Sequence, residues 1–220
     1  MDGYLFCDYY EPAQRVGGDF FDYVPLPDGR IAISVGDVAG KGVPAALLMA
    51  RMFSDVRYTL LSQPTPAEAT TQLNQSLSTG GLGHRFITFA LLVLDPLAHT
   101  LTIVNAGHLP PLARTKKNKV EPLGTANSGL PLGIQPDVVY RQSTVKLAPG
   151  TAILLYTDGV TEAMNRNNEI FGSARLSERL KSAEGDAEAI VESVIEEVET
   201  FCDGLAQRDD ICLICIQRVS

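Results

Sequence analysis

The order of strand-like and helical segments is the feature that most constrains the fold of this chain. Three strand-like runs come first, two amphipathic helices follow, a second group of strands comes next, and two further helices precede a last strand. Strands grouped together and joined by short turns favour antiparallel pairing, because parallel strands need a long crossover. The pattern therefore predicts an α+β fold, a four-layer αββα sandwich of two mostly antiparallel sheets flanked by helices.

The segments follow from apolar spacing and from turn residues. Pro27-Asp28-Gly29 is typical of a hairpin, and Thr65 with Glu68 is typical of a helix N-terminus. The predicted helices are 44–61, 66–77, 173–181 and 187–202. The predicted strands are 4–10, 19–26, 30–36, 86–94, 100–105, 112–114, 120–123, 139–145, 151–157 and 211–217. We find no repeat or linker, so we expect a single domain over residues 1–220.

Charge and hydropathy limit the classes of function that this chain can have. The chain has 18 basic and 26 acidic residues, a formal charge of −8, and its basic residues cluster only at 116–119. Nucleic acid, which needs a dense basic surface, is therefore not expected as a partner. No run approaches the ~20 apolar residues of a membrane span, and the first residues do not have the basic region followed by an apolar region of a secretory signal, so we expect neither.

The four cysteines do not form the framework of a disulfide-rich domain, which favours the cytoplasm. Cys212 and Cys215 have the spacing of a metal or redox pair. They fall on one predicted strand, however, where residues three apart point to opposite faces. We therefore expect both to fill the core rather than to share a metal.

The candidate functional residues are aspartates beside glycines or at strand ends, namely Asp19, Asp37, Asp158, Asp209 and Asp210. In antiparallel neighbours the start of one strand lies beside the end of the next, so these carboxylates are expected at one rim. Clustered carboxylates repel unless a cation compensates them, and hard oxygen ligands select Mg²⁺ or Mn²⁺. Two such ions activate a water for hydrolysis of a phosphomonoester. Taken singly, each aspartate is more typical of a turn or cap than of a metal site, and the prediction depends on all of them lying at compatible strand ends.

Five motifs in order resemble those of a known family. They are VGGDFFD (16–22), GDVAGKGVPAA (36–46), NAGH (105–108), YTDGVTEA (156–163) and DDI (209–211). The set is similar to the motifs of SpoIIE/RsbU-type phosphatases, bacterial members of the PPM (type 2C) protein phosphatases. The resemblance runs from about Phe6 to Ile216. It departs from the family pattern at Cys212, where a threonine is usual.

The resemblance implies a protein-serine/threonine phosphatase that uses a pair of Mn²⁺ or Mg²⁺ ions. Asp37 would bridge both ions, and the catalytic set would be Asp19, Asp37, Asp158 and Asp209. The implied metal ligands are these four aspartates and the backbone carbonyl of Val38, with Asp210 and Asp22 as substitutes. Lys41 and His108 are more typical of a solvated side chain and of a loop-stabilising contact than of catalysis.

The resemblance also implies partners. Relatives dephosphorylate STAS-domain anti-sigma-factor antagonists in signal transduction and stress response. They work with an upstream sensor or receiver domain or as homodimers, so this chain would be a fragment of a longer regulatory protein. The helix at 44–61 would then pass a movement to the Asp37 loop. The alternative is a pseudophosphatase or scaffold that binds a phosphoprotein without turning it over.

Overall fold

The computed structural model describes residues 1–40, 42–79 and 85–219. The strands are β1 (Tyr4–Glu11), β2 (Phe20–Pro25), β3 (Ile31–Val38), β4 (Ile87–Asp95), β5 (Thr100–Ala106), β6 (Leu112–Arg114), β7 (Val120–Pro122), β8 (Gln142–Lys146), β9 (Ala152–Tyr156) and β10 (Ile211–Arg218). The helices are α1 (Val43–Ser62), α2 (Pro66–Thr79), α3 (Asp158–Thr161), α4 (Gly172–Ser182) and α5 (Ala187–Cys202), with a 3₁₀ turn at Thr125–Asn127. The break predicted at 80–83 lies outside the described residues.

One compact unit, called the β3 unit here, comprises residues 16–110 and 124–146. Its sheet has the antiparallel order β2-β3-β4-β5-β8. The apolar stripes of α1 and α2 join the sheet in one buried core, which includes Met52, Leu73, Leu77, Phe89 and Leu91. This core holds β2 and β3, and with them the first two aspartate motifs.

Local signals in the β3 unit act as the sequence predicts. The β2–β3 hairpin turns at Gly29, whose φ of 84° is a conformation that glycine adopts without strain. At the start of α2 the Thr65 hydroxyl accepts a hydrogen bond from Glu68 N at 3.2 Å and donates one to the Glu68 carboxylate at 2.7 Å. The side chain of Thr65 thus satisfies one of the backbone donors at the N-terminus of α2.

The other compact unit, called the β10 unit, comprises residues 1–15, 111–123 and 147–220. Its sheet has the antiparallel order β1-β10-β9-β6-β7. Helix α5 packs on β1 and β10, and its N-terminus is capped by Asp186, whose side chain accepts from Ala189 N at 3.1 Å. Cys212 and Cys215 are both fully buried in β10 and neither is part of a disulfide, which confirms that they fill the core.

The predicted fold class, an α+β sandwich with two mostly antiparallel sheets and flanking helices, is confirmed. None of the helices within the described ranges is long and apolar enough to cross a membrane. The chain divides into two compact units, and the single domain over residues 1–220 stays a prediction.

One local prediction is wrong in detail, and one short helix is missing from the predicted elements. The strand predicted at 139–145 begins only at Gln142, because the Tyr140 backbone N–H donates to the Thr71 hydroxyl at 3.1 Å instead of to a neighbouring strand. The Tyr140 hydroxyl also donates to the Leu130 carbonyl at 2.7 Å. Helix α3 was not predicted, since a single helical turn contains too few residues to show an apolar period.

Candidate metal centre

In the β3 unit, Asp19 and Asp37 lie beside each other at the ends of paired strands. Phe20 is directly opposite Gly36 in the antiparallel β2–β3 register. Asp19 precedes Phe20 and Asp37 follows Gly36, so the two aspartates lie on the same side of this residue pair. Asp19 is 3% exposed. The antiparallel pairing therefore brings the first two predicted ligands to the same edge of the sheet, as the sequence indicates.

Oxygen atoms converge around Gly18 in the same unit. A Cβ added there would lie 3.0 Å from the Val38 carbonyl oxygen, 3.6 Å from Asp37 Oδ1 and 3.6 Å from the Gly40 carbonyl oxygen. The Val38 N–H also donates to the Gly18 carbonyl at 3.4 Å. Only a residue without a side chain fits among these oxygens without displacing them. The sequence drew attention to Asp37 and Val38, whereas the role of Gly18 needed the structure.

In the β10 unit, Asp158 and Asp209-Asp210 lie at the ends of another pair of strands. Asp158 is the first residue of α3 and is separated from β9 by Thr157 alone, and Asp210 directly precedes β10. Strands β9 and β10 are antiparallel neighbours. A Cβ on Gly159 would fall 1.9 Å from the Asp210 carbonyl oxygen and 3.3 Å from that of Asp209, so the two segments touch through their backbones.

Thr157 ties these two segments together. Its hydroxyl accepts from Cys212 N at 3.0 Å and lies 3.5 Å from the Asp210 carbonyl oxygen, to which it donates. Its backbone N–H donates to the Cys212 carbonyl at 3.1 Å. Thr157 is fully buried, which makes it a residue that positions the aspartates on either side.

The carboxylates of the β10 unit interact electrostatically. Burial raises the pKa of Asp158 above its usual range, and the negative charges of Asp209 and Glu162 raise it further. A cation at this place would compensate that repulsion, and an all-oxygen donor set suits Mg²⁺ or Mn²⁺. Glu162, which the sequence reasoning did not single out, belongs to this acidic group.

The two substitute ligands have structural partners of their own. Asp210 accepts a hydrogen bond from Ala13 N at 2.8 Å through Oδ1. Asp22 accepts from the Arg57 guanidinium through both carboxylate oxygens, at 2.8 Å each. Asp209 also accepts a hydrogen bond through Oδ1, from Asp210 N at 3.1 Å, so these contacts do not separate the three aspartates, and Asp209 as the ligand stays a prediction.

His108 has the contacts of a loop-stabilising residue. Its backbone N–H donates to Asn105 Oδ1 at 2.8 Å, and the Asn105 amide donates back to the His108 carbonyl at 3.0 Å. The ring nitrogen Nδ1 lies 2.9 Å from the Thr88 hydroxyl. Lys41 lies outside the described residues.

The structure thus brings Asp19 together with Asp37, and Asp158 together with Asp209 and Asp210, each set within its own unit. Within residues 1–40, 42–79 and 85–219, no group of three or more His, Cys, Asp or Glu side chains is arranged to hold a metal ion. The meeting of both sets at one rim stays a prediction.

Sequence comparison identifies a family and two curated relatives. The model of stage II sporulation protein E (SpoIIE) matches residues 27–219. Protein IcfG of Synechocystis is 30% identical over 95% of this chain and 37% of its own length. Phosphoserine phosphatase RsbU of Bacillus subtilis is 30% identical over 94% of this chain and 61% of its own length. The chain therefore spans less than two thirds of either relative.

Solved structures share the fold. The SiaA-PP2C domain of Pseudomonas aeruginosa superposes with a TM-score of 0.82 at 25% identity, covering 96% of this chain and 85% of that domain. The catalytic domain of the serine/threonine phosphatase PstP, solved with two manganese ions, has a TM-score of 0.73 at 10% identity and covers 99% of each chain. At that identity the likeness to PstP extends to the fold alone.

Proposed function

The chain belongs to the SpoIIE family of protein phosphatase domains, and from this premise we propose that it hydrolyses phosphoserine or phosphothreonine on a protein with a pair of Mn²⁺ or Mg²⁺ ions. The observation that carries the proposal is the pairing of acidic strand ends in both units, Asp19 with Asp37 and Asp158 with Asp209. Packing alone does not require carboxylates at these positions.

The donor atoms fit such ions. Around Gly18 the Val38 carbonyl and the Asp37 carboxylate converge, and around Gly159 the Asp209 and Asp210 backbones approach the start of α3. All of these donors are oxygens, the ligand type that Mg²⁺ and Mn²⁺ prefer. We propose that Asp19, Asp37, the Val38 carbonyl, Asp158 and Asp209 hold the ions.

When bound, a pair of divalent cations lowers the pKa of a shared water and neutralises charge on the phosphoryl oxygens. In our proposal the chain's own residues hold the metal ligands in position. Asp37 is fixed by the β2–β3 pairing, and Thr157 and Gly159 fix the distance between Asp158 and Asp209. Rigid backbone contacts of this kind hold ligands in place before the substrate arrives.

The partners we propose follow from the family. The substrate would be a phosphorylated STAS-domain anti-sigma-factor antagonist, a protein that acts on transcription in the cytoplasm. An upstream sensor or receiver domain, or a second copy of the chain, would regulate the activity through α1, which starts directly after the Asp37 loop. The phosphoserine phosphatase activity named for RsbU is in keeping with this substrate class.

A second candidate function is a pseudophosphatase that binds the phosphoprotein without turnover. One observation favours it, namely that the substitute ligands Asp210 and Asp22 already have protein partners. Retention of the four predicted ligand aspartates favours the enzyme.

One experiment distinguishes the phosphatase from the pseudophosphatase. Turnover of p-nitrophenyl phosphate and of a phosphoserine protein would be measured with Mn²⁺, with Mg²⁺ and with EDTA. We expect metal-dependent turnover in the wild type, a loss of at least about a hundredfold in Asp37→Asn and Asp158→Asn, and wild-type turnover in the control Asp137→Asn, an exposed position. Calorimetric titration with Mn²⁺ completes the experiment: a folded protein that neither binds Mn²⁺ at millimolar concentration nor turns over either substrate would point to the pseudophosphatase, whereas ion binding without turnover would point to a missing activator or substrate.

A further inference from the structure

A groove in the β10 unit lies beside the predicted ligands. Its volume is about 530 Å³, within the range of roughly 300–1,000 Å³ that is typical of ligand sites. Strand β1, helix α3, the last turns of α5 and the segment 204–209 line it. Apolar side chains form much of its wall, among them Tyr9, Met164, Ile195 and Leu205.

The rim of the groove is acidic. Four carboxylates line it, those of Glu11, Glu162, Glu199 and Asp209, against one guanidinium from Arg208. Arg208 donates to the Met164 sulfur at 2.8 Å, and the Tyr9 hydroxyl donates to the Glu11 carboxylate. The lining therefore has three more negative than positive groups. A ligand that combines a cation with an apolar surface complements it in both respects.

The groove shares its walls with the acidic end of the unit. Asp209 lines it, and so do Gly159 of α3, the helix that begins at Asp158, and Glu162, the residue that follows this helix. Gln207 joins the two regions, because its side-chain amide donates to the Glu11 carbonyl at 2.8 Å and to the Asp209 carbonyl at 2.7 Å. A chain segment that enters the groove comes into contact with the residues that carry the predicted metal ligands.

We propose that this groove binds the protein substrate through a basic residue and an apolar neighbour that flank the phosphoserine. The Lys or Arg would face Glu11 and Glu199, and the aliphatic or aromatic side chain would lie against Tyr9, Ile195 and Leu205. The inference rests on the proposed function, since it names the substrate class of the same site. It assigns to the groove a specificity that the metal ligands cannot supply, because they contact only the phosphoryl group.

Binding is tested first without turnover. Phosphoserine peptides of equal length would carry Lys-Leu, Ser-Leu or Ser-Ser beside the phosphoserine, and their dissociation constants would be measured by calorimetry in EDTA. We expect Lys-Leu to bind about fivefold more tightly than Ser-Leu, the size that one partly exposed ion pair supports. Equal affinity of Lys-Leu and Ser-Leu would overturn the proposal, because the carboxylates would then contribute nothing.

Two variants of α5 locate the effect. Glu199→Gln should reduce the preference for Lys-Leu to less than about twofold, whereas Glu196→Gln, an exposed position on the same helix outside the groove, should keep it. Glu199→Lys should reverse the preference toward a Glu-Leu peptide, a change that a merely structural role of Glu199 would not produce. A preference that is the same in wild type and Glu199→Gln places the binding elsewhere and overturns the proposal.

The same peptides distinguish this inference from the proposed function. With Mn²⁺, kcat/KM should follow the order of the dissociation constants. A binding preference without turnover of any peptide would support the groove and contradict the phosphatase. Turnover with no preference in either kcat/KM or binding would overturn the groove and leave the phosphatase standing.

Discussion

The Cα of Gly159 lies directly against the backbone carbonyl of Asp210, so closely that a Cβ on Gly159 would fall 1.9 Å from that oxygen. Real Cβ atoms do not approach a backbone oxygen to this distance, and no side-chain rotation relieves it, because both partners are backbone. The first turn of α3 and the residues before β10 can therefore approach this closely only because residue 159 has no side chain. Both predicted ligands of the β10 unit, Asp158 and Asp209, are neighbours of this contact.

Gly159→Ala is therefore expected to force these two segments apart. Overpacking of a buried contact costs about 1–3 kcal/mol, and we expect a loss of that size in the free energy of unfolding by urea, together with at least about tenfold weaker Mn²⁺ binding. Gly29→Asn is the control: nothing lies within 4 Å of a Cβ there, so its only cost is the strain of a side chain at a φ of 84°, and Mn²⁺ affinity should stay at the wild-type value. Wild-type Mn²⁺ affinity in Gly159→Ala would show that the contact does not position the aspartates.

A second close contact lies in the β3 unit, between Gly36 and Phe20. A Cβ on Gly36 would lie 2.6 Å from two atoms of the Phe20 ring and 3.0 Å from the Thr88 carbonyl oxygen. Gly36→Ala should destabilise the protein by about 1–3 kcal/mol in urea unfolding. In the double variant with Phe20→Leu the two losses should not add, because the smaller side chain makes room. Strict additivity in this double-mutant cycle would contradict a direct clash.

Arg114 is a buried cation that caps a helix. It is 6% exposed, burial lowers its pKa, and its guanidinium donates to the carbonyls of Leu180, at 3.2 Å, and of Ala183 at the C-terminal end of α4. Arg114→Met leaves these carbonyls without their donor and should cost about 1–3 kcal/mol in unfolding free energy. Arg141→Met, at an exposed position, is the control, and an equal effect of both would mean that the capping contacts contribute nothing.

His108 tests whether a motif residue is catalytic or structural. Its backbone is bonded to Asn105 in both directions, and its ring contacts Thr88. We expect His108→Ala to lower the melting temperature while kcat on p-nitrophenyl phosphate falls less than about tenfold, whereas removal of a general acid costs about 10²–10⁴. A loss of kcat in that higher range, with the fold intact by circular dichroism, would make His108 a catalytic residue.

The sequence predicts the elements well, because the signals for them are local. The period of Met52 and Val56 marks α1, and the turn residues around Gly29 mark the β2–β3 hairpin. The aspartates are found in the same way, since Asp37 and Asp158 stand out as carboxylates at the ends of apolar strands. Antiparallel pairing then brings each to its neighbour without further information.

The close contacts were beyond the sequence, because they depend on residues distant along the chain. The Gly159–Asp210 contact joins positions more than fifty residues apart, and nothing around Gly159 distinguishes it from a turn glycine. Gln207 and Thr157 bond to backbone carbonyls, which every residue has, so no residue type marks their partners. The groove beside Asp209 likewise forms only when β1, α3 and α5 are assembled.

The ionisation of Tyr9, which lines the groove, makes the stability of the protein depend on pH. Burial, followed by the hydrogen bond and charge of Glu11, raises the pKa of Tyr9 to about 12, whereas an unfolded tyrosine titrates near 10. The folded state therefore keeps this proton more tightly, and the stabilisation is fully present below pH ~10 and is lost as the pH rises through ~12. The wild type should lose stability over this window faster than Tyr9→Phe, as measured by urea unfolding at a series of pH values.

In Glu11→Gln the tyrosinate absorbance step of Tyr9 should move toward lower pH, but not all the way to 10, because burial is the larger cause. An unchanged step in Glu11→Gln would mean that the hydroxyl of Tyr9 does not bond to Glu11 in solution.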